Sequence, residues 1–130
     1  MSEKMSENTN ALNWFEIPAT DISRATKFYE AIFEVKLAYM EMMGMKMAMF
    51  PTNPEGGKVG GGLCQSDMST PSKTGVAVYL NANPDLQLVI DRIEKIGGKV
   101  VMPKTSLGEN GFMSFFEDTE GNIVGLHSMG

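Results

Sequence analysis

The order in which apolar periodicities succeed one another constrains this chain more than any single motif. "NWFEIPAT" alternates, with Phe15 and Ile17 on one side and Trp14 and Glu16 on the other, the two-residue repeat of a half-buried strand. Asp21 then offers an N-cap. Ala25, Phe28, Tyr29, Ile32 and Phe33 recur at three- and four-residue steps and predict an amphipathic helix of about 13 residues. "KLAYMEM" and "MKMAMFP" flank Gly44 as a hairpin, and "VGGGLCQ" follows the turn formers of "PTNPEGG". The second half repeats the order. "GVAVYLNA" sets Val76, Val78 and Leu80 against Ala77, Tyr79 and Asn81. Pro84 is read into the first turn of a helix striped by Leu86, Val89, Ile90, Ile93 and Ile96 and closed by Gly97. "KVVMP", "GFMSFFED" and "NIVGLHS" supply three more strands, with "DTEGN" as the turn between the last two. The chain reads β-α-β-β-β twice.

Neither half is large enough to bury both its helix and a sheet face, so the two are expected to share one core. The expectation is an α+β fold in which two βαβββ units form a curved mixed sheet, with helices on the convex face and a cleft on the concave one. Residues 1–10 read as a disordered tail, 11–65 as the first unit, 66–75 as a polar linker and 76–130 as the second unit, one domain overall. Period-two alternation sends Trp14, Glu16, Tyr79 and Asn81 into the cleft. It also sends Ile123, Gly125 and His127 there, with Val124 and Leu126 toward the helices.

Charge and cysteine usage narrow the partners. Eleven basic residues against 16 acidic ones leave a net charge of −5 with no basic patch, which argues against nucleic acid. No apolar run approaches the roughly 20 residues that span a bilayer, and no basic amphipathic helix suggests a membrane surface. The N-terminal residues lack the apolar stretch of a secretory signal. Cys64 is the only cysteine, so no intrachain disulfide forms; it reads as a buried structural thiol in a cytoplasmic protein. What remains is a neutral, apolar or cationic small molecule.

The opening "NWFEIPATDISRATKFYEAIFEVKL" and the closing "RIEKIGGKVVMPKTSLGENGFMSFFEDTEGNIVGLHSMG" resemble the two units of the vicinal oxygen chelate superfamily. That superfamily contains glyoxalase I, extradiol dioxygenases and the fosfomycin- and bleomycin-resistance proteins. The motifs "GGKVVMPKT", "FEDTEGN" and "GLHSM" resemble its bacterial branch of glyoxalase-related or bleomycin-resistance-like proteins. The resemblance implies the doubled fold and a homodimer. It also implies metal-ligand positions on the first, fourth, fifth and last strands. Here these fall on Trp14, within Gly60–Leu63, on Ala77 (or Val76), and on Gly125, none of which has a ligating side chain. No metal or other cofactor is therefore expected, unless two copies of His127 are pooled across a dimer.

Glu16 and His127, the only histidine, form the sharpest pair. A carboxylate orienting an imidazole suits acid–base catalysis, ligand contact, or a satisfied structural pair. Trp14 offers a stacking surface, while Tyr79 and Asn81 offer hydrogen bonds. Six methionines crowd residues 40–49. Thioethers suit copper, but Met45, Met47 and Met49 share one strand face and read better as an adaptable apolar wall or core, with Met47 assigned to the cleft. Phe112, Phe115 and Phe116 divide between cleft and core, with Phe112 assigned to the cleft. "EGGKVGGG" lacks the ending of a phosphate loop and reads as a close backbone approach. Two function classes stay open. One is a metal-free protein that binds a small apolar or aromatic molecule, with or without Glu16/His127 chemistry. The other is a metal-dependent lyase or dioxygenase whose ligands are shared across a dimer.

Overall fold

A computed structural model of the chain describes residues 3–130. The first unit runs β1 (Trp14–Pro18), α1 (Ile22–Phe33), β2 (Ala38–Met42), β3 (Met45–Met49) and β4 (Gly60–Gln65). The second runs β5 (Tyr79–Asn81), α2 (Leu86–Ile93), β6 (Lys99–Ser106), β7 (Phe112–Glu117) and β8 (Ile123–Ser128). The strand orders β1-β4-β3-β2 and β5-β8-β7-β6 are the same. In each, the first strand runs parallel to the last and the others are antiparallel. The fold is α+β, as the doubled order implies. The two expected βαβββ units each form a four-stranded mixed sheet, and β1 and β5 each pair on one side only. β5 is also shorter than its alternation suggests. At residues 76–78 one bond to β8 remains, from the Gly125 N–H to the Val78 carbonyl, and Val76 is almost fully exposed.

Local chemistry fixes the helices. The Asp21 carboxylate accepts from the Arg24 N–H, and the Asp85 carboxylate accepts from the Gln87 N–H, so each satisfies a donor the helix leaves open. Asp85 is the cap of α2, which puts Pro84 ahead of the helix and not in its first turn. A short 3₁₀ turn over Glu94–Ile96 extends α2 to Gly97, whose φ of 99° is the left-handed cap its sequence suggests. Glu34 holds the equivalent place after α1 at φ 55°, a conformation that disfavours a side chain. Its carboxylate meets Arg92 at 3.2 Å, which ties α1 to α2.

Both units share one core. Phe28, Tyr29 and Ile32 of α1 pack with Leu63, Leu86, Ile93, Phe116 and Leu126, all fully buried, at about 1.5–3 kcal/mol for each large side chain removed from water. The turn between β7 and β8 then grips the first unit. The Tyr29 hydroxyl donates to Asp118 at 2.7 Å, and the Asn122 amide donates to the Pro18 carbonyl at 2.7 Å. Glu120 accepts from the N–H groups of Thr20 and Asp21 and pairs with Arg24 at 2.7 Å. Burial pushes the Glu120 carboxyl up, but the Arg24 guanidinium, the Asp21 N–H and two threonine hydroxyls outweigh it and hold the group at about 2. Burial, and then Asp118, push the Tyr29 phenol well above its usual range.

The segment read as a linker is anchored at its far end, where the Ser72 N–H donates to Asn122 and the Ile123 N–H to the Ser72 carbonyl. Of the segment read as a tail, residues 1 and 2 lie outside the described residues. The rest contains a turn closed from Thr9 to Ser6 and a contact from the Asn10 amide to the Gly57 carbonyl. Among the described residues, no helix is long and apolar enough to cross a membrane.

Candidate functional site

The strand faces are those that alternation dictates. Ile17, Leu80, Val124 and Leu126 enter the core, while Trp14, Glu16, Tyr79 and Asn81 are exposed on the other face. The cleft these four residues share lies at the open edges of β1 and β5, where the two sheets meet without pairing, and not over the middle of either sheet. It measures about 700 Å³. Its other walls come from the helix-facing layer: Phe33, Val35, Phe50, Pro51 and Val59, with Leu12 at one end. Gly60 and Gly61 line it through their backbone. At Gly61 a Cβ would overlap the Phe15 ring, so the glycine run lets that ring lie flat on β4.

The polar groups of the cleft are few and partly engaged. The Trp14 indole N–H donates to Glu16 Oε2 at 3.2 Å. Asn81 Oδ1 accepts from the backbone and the side-chain amide of Asn83 at 2.9 and 2.8 Å, which aims its own NH₂ away from that turn. Tyr79 leans on Phe115, ring centroids 5.3 Å apart, and covers Gly125, where a Cβ would come within 2.5 Å of the Tyr79 ring. Tyr79 is thus held as a half-exposed aromatic plate.

The remaining expected site residues sit elsewhere. His127 faces the same side of its sheet as Tyr79, but its Nε2 lies 2.7 Å from the Asn110 carbonyl and it does not line the cleft. Glu16 and His127 form no hydrogen bond with each other; β5 lies between their strands. Phe112 packs against the core beneath the Lys104 ammonium, 4.4 Å from its ring centre. The residue of β7 beside Tyr79 is Phe115. Met47 is buried and stands opposite Cys64 in the β3–β4 register, so the methionine face forms the floor of the first sheet and not a wall of the cleft. Burial raises the Cys64 thiol, and Glu16 adds to the rise. Phe33, Phe50 and Val59 were not legible as cleft residues, because their periodicity or position marks them only as apolar.

The residues at the positions where the resemblance implies metal ligands do not fit a metal ion. Trp14 presents an indole, Gly60–Leu63 carry no oxygen, nitrogen or sulfur donor in their side chains, and the space over Gly125 is filled by Tyr79. Among the described residues, no three His, Cys, Asp or Glu side chains gather as ligands.

Comparison with known proteins agrees with this architecture. A family model described as Glyoxalase/Bleomycin resistance protein/Dioxygenase superfamily matches residues 11–126. A glyoxylase-like domain-containing protein of Didymella fabae is 35% identical over 119 residues, covering 85% of this chain and 88% of that protein. The protein CFP32 of Mycobacterium bovis is 30% identical over 131 residues, covering 88% of this chain; the chain spans 44% of its length. Among solved structures, a glyoxalase I variant from Zea mays superposes with a TM-score of 0.68 at 21% identity, covering 88% of this chain and 44% of that one. A variant of the fosfomycin resistance protein FosX from Listeria monocytogenes superposes at 0.64 with 16% identity, covering 91% of each chain.

Proposed function

The chain belongs to the glyoxalase/bleomycin resistance protein/dioxygenase superfamily, and from that premise we propose that it is a small-molecule-binding protein whose occupant sits between β1 and β5 without a metal ion. The observation that carries this reading is the cleft itself. Its volume of about 700 Å³ suits a modest organic molecule. Its wall is apolar, with an indole and a phenol exposed on it and only Glu16, Asn81 and the Tyr79 hydroxyl to orient a ligand. A planar apolar or aromatic body satisfies that surface. His127, held to Asn110 and away from Glu16, is a contact of the open sheet face in this reading and not half of an acid–base pair. The protein acts as a homodimer in the reducing cytoplasm, where its one buried thiol stays reduced.

Trp14 is the only tryptophan, so its fluorescence reports the cleft directly. A planar aromatic probe is expected to alter that emission saturably, and Tyr79→Ala to weaken binding by about tenfold or more. Absence of any saturable change across a panel of such probes would overturn the reading. Elemental analysis after incubation with zinc, nickel, manganese and iron is expected to find less than about a tenth of an equivalent. Near-stoichiometric metal lost in His127→Ala would overturn the metal-free reading and favour the metal-dependent lyase or dioxygenase. His127→Ala is expected to leave probe affinity nearly unchanged, whereas an enzyme using that imidazole would lose turnover and keep its binding.

A further inference from the structure

We propose that the occupant of this cleft is an organic cation carrying a planar aromatic body, an inference that rests on the binding reading above. Two observations point there independently of one another. The first is charge. Glu16 is the only acidic or basic side chain lining the cleft, and no lysine, arginine or histidine lines it. Among the described residues, four cations are paired elsewhere: Arg24 with Glu120, Arg92 with Glu34, Lys73 with Glu117 and Lys104 with Asp85. Lys36 and Lys58 adjoin Val35 and Val59 in the chain, but both are exposed and neither lines the cleft. The chain as a whole carries −5. A carboxylate or phosphonate placed beside Glu16 would meet repulsion with no counter-charge, whereas an ammonium or ring cation would complete the site.

The second observation is the electron-rich character of the wall. Trp14 and Tyr79 are 40% and 48% exposed where a ligand would lie. A cation over an indole or phenol face is attracted by the ring quadrupole. The indole N–H bond to Glu16 Oε2 places the carboxylate at the edge of that aromatic plate. Among the described residues, Glu16 Oε1 has no hydrogen-bond partner, so one carboxylate oxygen is left for the ligand's charge while the other keeps the indole in place. Charge and stacking surface are therefore presented side by side. A ligand with both features is selected over one with either alone.

The test compares three bicyclic probes of nearly equal size by calorimetry: N-methylquinolinium, 2-naphthol and 2-naphthoate. The cation is expected to bind about tenfold or more tighter than the neutral probe, and the anion weakest. In Glu16→Gln the ratio of cation to neutral-probe affinity is expected to fall below about threefold. Asp67→Asn, at an exposed acid remote from the cleft, leaves the preference intact. Raising salt from low to high ionic strength weakens the cation in the wild-type protein and spares 2-naphthol, a readout that needs no variant. Equal affinity for all three probes, a tighter anion, or a preference that survives Glu16→Gln would overturn the cation assignment and leave the binding reading standing. Failure of all three to bind would overturn both.

Discussion

Removing the charge of Glu120 tests whether the turn between β7 and β8 holds the two units together electrostatically. The Glu120 side chain is inaccessible to solvent, while its partner Arg24 is 51% exposed. Its carboxyl lies at about 2 against an ordinary 4.5, and at about 1.4 kcal/mol per pH unit that interval corresponds to roughly 3 kcal/mol. Solvent screening around the half-exposed guanidinium reduces this to about 1–2 kcal/mol. The folded carboxyl is the more acidic, so its stabilisation is complete above the ordinary value and is lost as pH falls from about 5 toward 2. Glu120→Gln keeps an oxygen for the Thr20 and Asp21 N–H groups, and it replaces the charged Oε2 that accepts from Arg24 Nε and the Thr119 hydroxyl with an amide. Urea unfolding at pH 7 should show the variant about 1–2 kcal/mol less stable, with the gap closing between pH 5 and pH 2. A wild-type-like variant at pH 7, or a gap of equal size at pH 7 and pH 2, would refute the reasoning.

Tyr29→Phe removes the donor to Asp118, a carboxylate only 4% exposed, and should cost about 1.5–3 kcal/mol in chemical denaturation. Glu34→Gly relieves the left-handed cap at the expense of an exposed ion pair and should stabilise by about 0.5–1 kcal/mol, read as a higher melting temperature. Gly125→Ala drives a methyl against the Tyr79 ring and should weaken planar probes about fivefold or more while circular dichroism stays native. The Cys64 thiol, buried and raised, should react with Ellman's reagent at pH 8 only slowly, and urea should accelerate it sharply. Immediate stoichiometric reaction of the folded protein would contradict that placement.

The doubled architecture was legible because each strand and helix carries its own periodicity. Phe28 and Ile32 recur at helical spacing, and Trp14, Glu16 and Ile17 alternate as a strand must. The same alternation assigned Trp14, Glu16, Tyr79 and Asn81 to one side of their strands, which is where they stand. It could not say that the two sheets stop short of pairing, because hydrogen bonding between β1 and β5 depends on how the helices seat the units and not on either strand's sequence. The cleft therefore lies at an edge, and it recruits Phe33 and Phe50, whose patterns mark only core. His127 was assigned the correct face, but its bond to the Asn110 carbonyl arises from a loop 17 residues away. Phe112 and Phe115 differ by strand parity alone, and a single residue of register decides which of them meets Tyr79.

The bonds by which the turn between β7 and β8 joins the halves include ones between residues 89 and 104 positions apart in the chain, from Tyr29 to Asp118 and from Pro18 to Asn122. None of them involves the exposed stretch from Asp67 to Thr70. That stretch serves as a tether whose contribution is an effective concentration, on the order of millimolar for a short flexible connection. Cutting the chain there would leave every joining bond available to two separate fragments. The same bonds form equally well between the first unit of one copy and the second unit of another, since no contact in the turn records which chain supplied its partner. Shortening the tether below the span it bridges would favour that exchange, and each exchanged pair would carry two clefts with the same residues along their edges.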